Sequence, residues 1–129
     1  MQNERQTFKK EEKLKSKKLI EELFEKGKII HHHPFKVLFQ LTNNPEFAYP
    51  AKIGISVSKK NFKRAVDRNY LKRKIREAYR CNKSDLYNSL NHIDQKLYFF
   101  VIYTAKHDID YSEIDLAMIS LLKKLKTKF

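Results

Sequence analysis

The chain has 129 residues, with 28 Lys and Arg against 15 Asp and Glu, and a formal charge of +13 at pH 7. That length fits one domain with a single core, and 9 Phe and 7 Tyr are more aromatic content than a disordered tail carries. Two glycines far apart, Gly27 and Gly54, exclude any glycine-rich phosphate loop, and one cysteine excludes an intramolecular disulfide and a Cys-based zinc site.

Residues Met1 to Lys13 are polar and show no period, which predicts a flexible basic N-terminus over 1–13 and a single folded domain over 14–129. From about Leu14 to Lys26, Leu19, Ile20, Leu23 and Phe24 recur at spacings of three and four. This predicts an amphipathic helix, with Gly27 where a C-cap glycine belongs. Phe35, Val37, Phe39 and Leu41 alternate and share one face of a strand. Residues 42–50, with two prolines, read as a loop. Ile53, Ile55 and Val57 then alternate with Gly54, Ser56 and Ser58, a strand with one apolar and one small polar face.

Asn61 to Arg80 is helical by composition, and a short helix is expected around Leu86 to Leu90. Leu97 to Thr104 is apolar on both faces, which places it centrally in the sheet. Asp110, three residues before Glu113, forms a capping-box pattern. It opens a last helix with the stripe Ile114, Ala117, Met118, Leu121, Leu122 and Leu125. The order helix, strands, helix, strand, helix predicts an α+β or α/β fold with helices packed on a sheet.

The first eighteen residues hold no apolar signal-peptide core, and the longest apolar run, Leu97 to Tyr103, falls far short of the ~20 residues that span a bilayer. A cytoplasmic, reducing location with no membrane partner is expected, with Cys81 a free thiol. His31-His-His33 is no metal site, because consecutive side chains of an extended chain point to opposite sides.

The charge is concentrated. Between Lys52 and Arg80 stand eleven Lys and Arg and two acids, Asp67 and Glu77, so nine of the thirteen net positive charges fall there. On a helix, Arg68, Asn69, Lys72, Arg73, Arg76 and Arg80 occupy one arc of roughly 140°. Arg68, Lys72, Arg76 and Arg80 are successive i,i+4 neighbours, an arrangement that opposes the helix by a few tenths of a kcal/mol per pair. Arginine predominates on that arc, and its fork suits phosphate. The competing reading, a solvated basic face, fits less well because such faces usually mix both signs.

Two segments resemble the bacterial ribonuclease P protein component. They are Ile53-Gly-Ile-Ser-Val-Ser-Lys-Lys60 and Ala65-Val-Asp-Arg-Asn-Tyr-Leu-Lys-Arg-Lys-Ile-Arg-Glu-Ala-Tyr-Arg80. The family carries a Gly-x-Ser-Val-Ser-Lys-Lys pattern followed by Ala-Val-x-Arg-Asn-Arg-x-x-Lys-Arg-x-x-Arg. A weaker likeness extends over roughly Leu14 to Leu125. Two departures stand out: Tyr70 replaces an arginine of the motif, and Asn61-Phe-Lys-Arg64 replaces small residues before the helix.

The resemblance implies an α/β sandwich with about four strands, Lys28 to His32 supplying the fourth, and a left-handed strand–helix–strand crossover. It implies a protein subunit of an endoribonuclease that binds the catalytic RNA and the 5′ leader of precursor tRNA. The RNA subunit cleaves with Mg²⁺; the protein itself holds no cofactor, metal or catalytic residue, and one copy serves each RNA. Lys59, Lys60, Arg64, Arg68, Asn69, Lys72, Arg73, Arg76 and Arg80 would contact RNA. Ile20, Phe24 and Phe39, with Lys36 nearby, match the leader-binding cleft, although Phe24 and Phe39 equally suit an ordinary helix-on-sheet core. The alternatives are a ribosomal or other structural RNA-binding protein without processing activity and a DNA-binding regulator. The last is disfavoured because a strand, not a helix, precedes the basic helix.

Overall fold

A computed structural model of the chain describes residues 7–129. Helix α1 spans Lys17–Lys26, and strands β1, β2 and β3 span Lys28–His32, Phe35–Thr42 and Ala51–Val57. Helices α2 (Ala65–Asn82) and α3 (Ser84–His92) follow, then β4 (Lys96–Tyr103) and α4 (Tyr111–Lys126). The sheet order is β1-β2-β4-β3; β1/β2 and β2/β4 are antiparallel and β3/β4 parallel. A parallel pair needs a long crossover, and α2 with α3 provides it.

Strand β4 sets the layout. Leu97, Phe99, Val101 and Tyr103 point to one face and are almost fully buried under α2, α3 and α4, together with Phe35, Val37, Ile53 and Val57 of its neighbours. Tyr98, Phe100 and Ile102 point to the other face, where Leu23 and Ile20 of α1 pack with Leu38 of β2. The Tyr98 hydroxyl donates to Glu22 Oε2 at 3.1 Å and ties α1 down. The expected central strand, four-stranded sheet and α+β order are all present. Among the described residues no helix is long and apolar enough to cross a membrane.

Local differences from the sequence reading have local causes. Ser16 caps α1, its Oγ accepting from the Leu19 N–H, so the helix starts at Lys17 and Leu14 lies outside it. Leu14 instead runs beside β3, its N–H donating to the Ile53 carbonyl at 2.9 Å. Gly27 does end α1, but at φ −64°; glycine is needed there because a Cβ would sit 2.5 Å from the Leu23 carbonyl oxygen. Asp110 precedes α4 without a side-chain cap bond; its carbonyl accepts from Glu113 and Ile114 instead.

Of the N-terminus expected to be flexible over 1–13, residues 1–6 lie outside the described residues, and residues 7–13 pack against the fold. A 3-10 turn at Lys10–Glu12 carries Glu12 into the interior, where it is 1% exposed and ion-paired with Lys83, 4% exposed. Lys83 also donates to the Thr7 carbonyl, and the Tyr87 hydroxyl donates to Glu12. Burial pushes both the Tyr79 and Tyr87 phenols well above their usual range. The Phe8 ring packs edge-on against Tyr79 at 6.1 Å. This charge pairing spans 71 positions of sequence, so no periodicity announces it.

Removing one partner of a buried pair strands the other charge, whereas removing both is nearly neutral. Lys83→Met is therefore expected to lower the unfolding free energy by about 3–5 kcal/mol, and Glu12→Leu combined with Lys83→Met to regain most of it. Urea unfolding monitored by circular dichroism measures both, and a loss for the single variant below that of the double variant would contradict this.

Candidate nucleic-acid interface

Helix α2 buries Leu71, Ile75, Ala78 and Tyr79 against the sheet and α4. At ~100° per residue, Tyr70, Lys74, Glu77 and Cys81 fall on one flank and Arg68, Lys72 and Arg76 on the other. The first flank is occupied from within the chain. Lys74 Nζ donates to Asp108 Oδ1 at 2.7 Å and to the Ile109 carbonyl at 3.1 Å, and lies 4.5 Å from the centre of the Tyr70 ring. Tyr70, standing where the motif has arginine, thus stacks on a cation that the chain has already paired.

The second flank looks over the outer edge of β3, because Lys83 shares its meridian and reaches the N-terminal segment running along that strand. The expected RNA-contacting residues meet different fates there. Lys72 and Arg76 are half-buried, Arg73 and Asn69 exposed, and among the described residues none of the three cations pairs with an acid. Lys59 and Lys60 are exposed on the loop before α2. Arg64 lies 3.8 Å from Asp67, a loose surface pair worth little.

Two members of the row bond to groups of the chain itself. Arg68 Nη1 donates to the carbonyls of Phe62 and Lys63 at 2.8 and 2.9 Å. Arg80 grips Glu77 with two bonds, Nε at 3.0 Å and Nη2 at 2.5 Å. That bidentate contact holds the Glu77 carboxyl below its usual range and raises the guanidinium further. Arg80, expected as an RNA ligand, thus already has an acid of its own chain three residues away.

The α1 side of the sheet carries a partly exposed face of aromatic and apolar side chains. Phe24 is 58% exposed and meets Phe100 edge to face at 5.6 Å between ring centres. Ile20 packs beside them with Ile102, and alternation along β2 puts Lys36 on this face, directly opposite Ile102. Gly54 is what lets the Phe100 ring lie down on β3, since a Cβ there would come within 2.4 Å of that ring. Of the expected cleft residues, Ile20, Phe24 and Lys36 come together, but Phe39 does not. It is 3% exposed and belongs to the opposite face, in the core with Phe35, Val37 and α4. The strand alternation that grouped Phe39 with Phe35 and Val37 was correct; Leu38 is the residue that faces α1.

Comparison with known proteins gives the family. The family model described as Ribonuclease P matches residues 8–126. The chain belongs to the ribonuclease P protein family. The ribonuclease P protein component of Petrotoga mobilis is 35% identical over 129 residues, covering 95% of this chain and 98% of that protein. That of Porphyromonas gingivalis is 34% identical over 111 residues, covering 84% and 79%. The solved RNase P protein from Thermotoga maritima superposes with a TM-score of 0.66 at 28% identity, covering 88% of this chain and 96% of that one. The chain is thus a protein component of the endoribonuclease that matures tRNA 5′ ends, a complex in which RNA performs the cleavage. The reading as an RNA-binding protein without processing activity gives way to that membership.

Within this ribonuclease P protein, the sequence reading missed Phe100, Ile102 and the role of Gly54. A signal for all three was available. A strand apolar on both faces beside one with a Gly54-Ser56-Ser58 face means that large side chains of β4 lean over small ones of β3, as the pairing of Gly54 with Phe100 and Ser56 with Ile102 shows. Among the described residues no group of three or more His, Cys, Asp or Glu is placed to hold a metal ion. The His31 carbonyl accepts from Lys124 at 3.2 Å, and burial first, then Lys124, lowers the His32 imidazole from its usual range.

Gly54→Ala is expected to displace the Phe100 ring, to cost about 1–3 kcal/mol as overpacking does, and to abolish the Phe24–Phe100 ring-to-ring nuclear Overhauser effects. An unshifted Phe100 spectrum with unchanged stability would contradict the close approach.

Proposed function

We propose that the β3-edge flank of α2 binds the catalytic RNA of ribonuclease P and that the α1-side cleft takes the single-stranded 5′ leader of precursor tRNA. Lys72, Arg73 and Arg76, with Asn69 and the loop cations Lys59, Lys60 and Arg64, follow the RNA backbone. Backbone contacts of this kind position a protein without reading sequence. Phe24, Phe100, Ile20 and Ile102 offer a stacking platform with Lys36 beside it, the combination that holds unpaired nucleotides. The protein supplies no nucleolytic group in this reading. Mg²⁺ would be held by the RNA subunit and not by residues of this chain. One copy serves each RNA, in the cytoplasm.

The observation that carries this reading is the division of cations on α2. Lys74 and Arg80 are paired with the chain's own acids, while Lys72, Arg73 and Arg76 stand together without an acid among the described residues. A row of like charges is locally unfavourable, and a polyanion relieves it.

Reconstitution with a bacterial ribonuclease P RNA at low Mg²⁺ is expected to raise precursor cleavage, the protein alone cutting nothing. An unchanged rate with folded protein would contradict the proposal. Removing one phosphate contact makes the log–log salt dependence of RNA affinity shallower by about 0.7–0.9. Lys72→Gln and Arg76→Gln are each expected to do so, whereas Lys74→Gln, already committed to Asp108, leaves the slope unchanged. Phe24→Ala is expected to weaken precursor tRNA by roughly 5- to 150-fold, corresponding to about 1–3 kcal/mol of base stacking, while sparing mature tRNA. Equal weakening of both would place the leader elsewhere.

A further inference from the structure

We propose that Arg68 is a positioning residue: its guanidinium fixes the 58–64 loop so that Lys59 and Lys60 meet RNA backbone already in place. The inference rests on the reading of the α2 flank as the RNA-binding face. It differs from the simplest account of a basic row, in which each cation contacts its own phosphate.

The loop itself asks for such a device. Seven residues, Ser58 to Arg64, join β3 to α2 without glycine, proline or regular structure, and Asn61-Phe-Lys-Arg64 departs from the small residues usual there in the family. The loop is held at successive points. The Lys60 N–H donates to Ser58 Oγ at 3.1 Å, and the Phe62 N–H donates to the Ser58 carbonyl at 3.0 Å. The Phe62 ring tilts against Tyr103 at 6.0 Å. Arg68, one turn inside the helix, then clamps the two consecutive carbonyls of Phe62 and Lys63.

Both hydrogens of Nη1 are used in that clamp, which orients the guanidinium toward the loop. What the clamp holds outward is charge: Lys59 and Lys60 are exposed, and among the described residues neither has an ion-pair partner. A loop free to move would lose conformational entropy on ordering against RNA. A loop anchored to the helix has already lost it. Arg68 therefore makes two lysines part of the rigid α2 surface.

A lysine at this position does not substitute. On the same side-chain path its ammonium sits where the guanidinium carbon was, about 1.3 Å short of Nη1, which leaves both carbonyls beyond hydrogen-bond distance. It would still serve a phosphate. The conservative variant thus separates the two roles.

The experiment measures the salt dependence of affinity for a bacterial ribonuclease P RNA, using the full chain and variants shown to be folded by circular dichroism. Arg68→Met and Arg68→Lys are both expected to flatten the slope by well over one unit, and to speed hydrogen exchange at the Lys60 and Phe62 amides of the free protein. Combined Lys59→Gln and Lys60→Gln is expected to flatten the slope strongly when Arg68 is intact. In the Arg68→Met or Arg68→Lys background the same pair is expected to change it little, the non-additivity of residues that act together. Three outcomes would overturn the proposal: Arg68→Lys behaving as the unaltered protein; Arg68→Met flattening the slope by under one unit with the lysine effect intact in both backgrounds; or unchanged amide exchange. If Lys72→Gln and Arg76→Gln also fail to alter the slope, the RNA-face reading itself is lost, a result distinct from failure of the clamp alone.

Discussion

Strand β4 must be covered on both faces, and the arrangement of everything functional follows from that. Its odd-numbered residues, Leu97 to Tyr103, need a thick layer and receive three helices; Tyr98, Phe100 and Ile102 receive only α1. One short helix does not conceal all of that second face, so Phe24 and Phe100 remain partly open. The parallel partner β3 can lie beside β4 only by way of a crossover, and the crossover is α2. A basic helix and a partly open aromatic face are consequently delivered to the two sides of the same strand pair.

The charge on α2 is sorted by direction. Cations that point along the chain's own surface find acids or carbonyls: Lys74 with Asp108, Arg80 with Glu77, Arg68 with the 58–64 loop. Lys72, Arg73 and Arg76 do not. The internal pairs hold the helix and its leading loop in place; the remaining cations form the surface that an anionic backbone completes. The same economy operates at the other end of α2, where Lys83 is drawn into the interior by Glu12 and fastens the N-terminal segment along β3.

Much of this was legible in the sequence because it is periodic. The two-sided apolar run of β4, the alternation of β2 and β3, the stripe of α4 and the basic arc of α2 all follow from repeat lengths of two or 3.6. What was not legible depends on which groups meet across the fold. Alternation groups Phe39 with Phe35 and Val37, but nothing local says which face of the sheet α1 covers, so the resemblance that assigns Phe39 to the cleft meets no local objection. Residues 7–13 look aperiodic because their anchors, the Glu12–Lys83 pair and the Phe8–Tyr79 contact, are made to residues far along the chain. Arg68 and Arg80 looked equivalent to Lys72 and Arg76 because a helical wheel records direction and not partners. The Gly-x-Ser-Val-Ser-Lys-Lys and Arg-Asn-x-x-Lys-Arg spacing carried the family, which periodicity alone does not provide.

The central claim is that folded RNA lies on the β3-edge flank of α2. Acetylation footprinting of lysines, read by mass spectrometry with and without a bacterial ribonuclease P RNA at low Mg²⁺, tests it directly. The account predicts protection of Lys59, Lys60 and Lys72 on RNA binding, while Lys123 and Lys124 at the end of α4 stay reactive. Protection of the α4 lysines with Lys59, Lys60 and Lys72 left as reactive as in the free protein would contradict it.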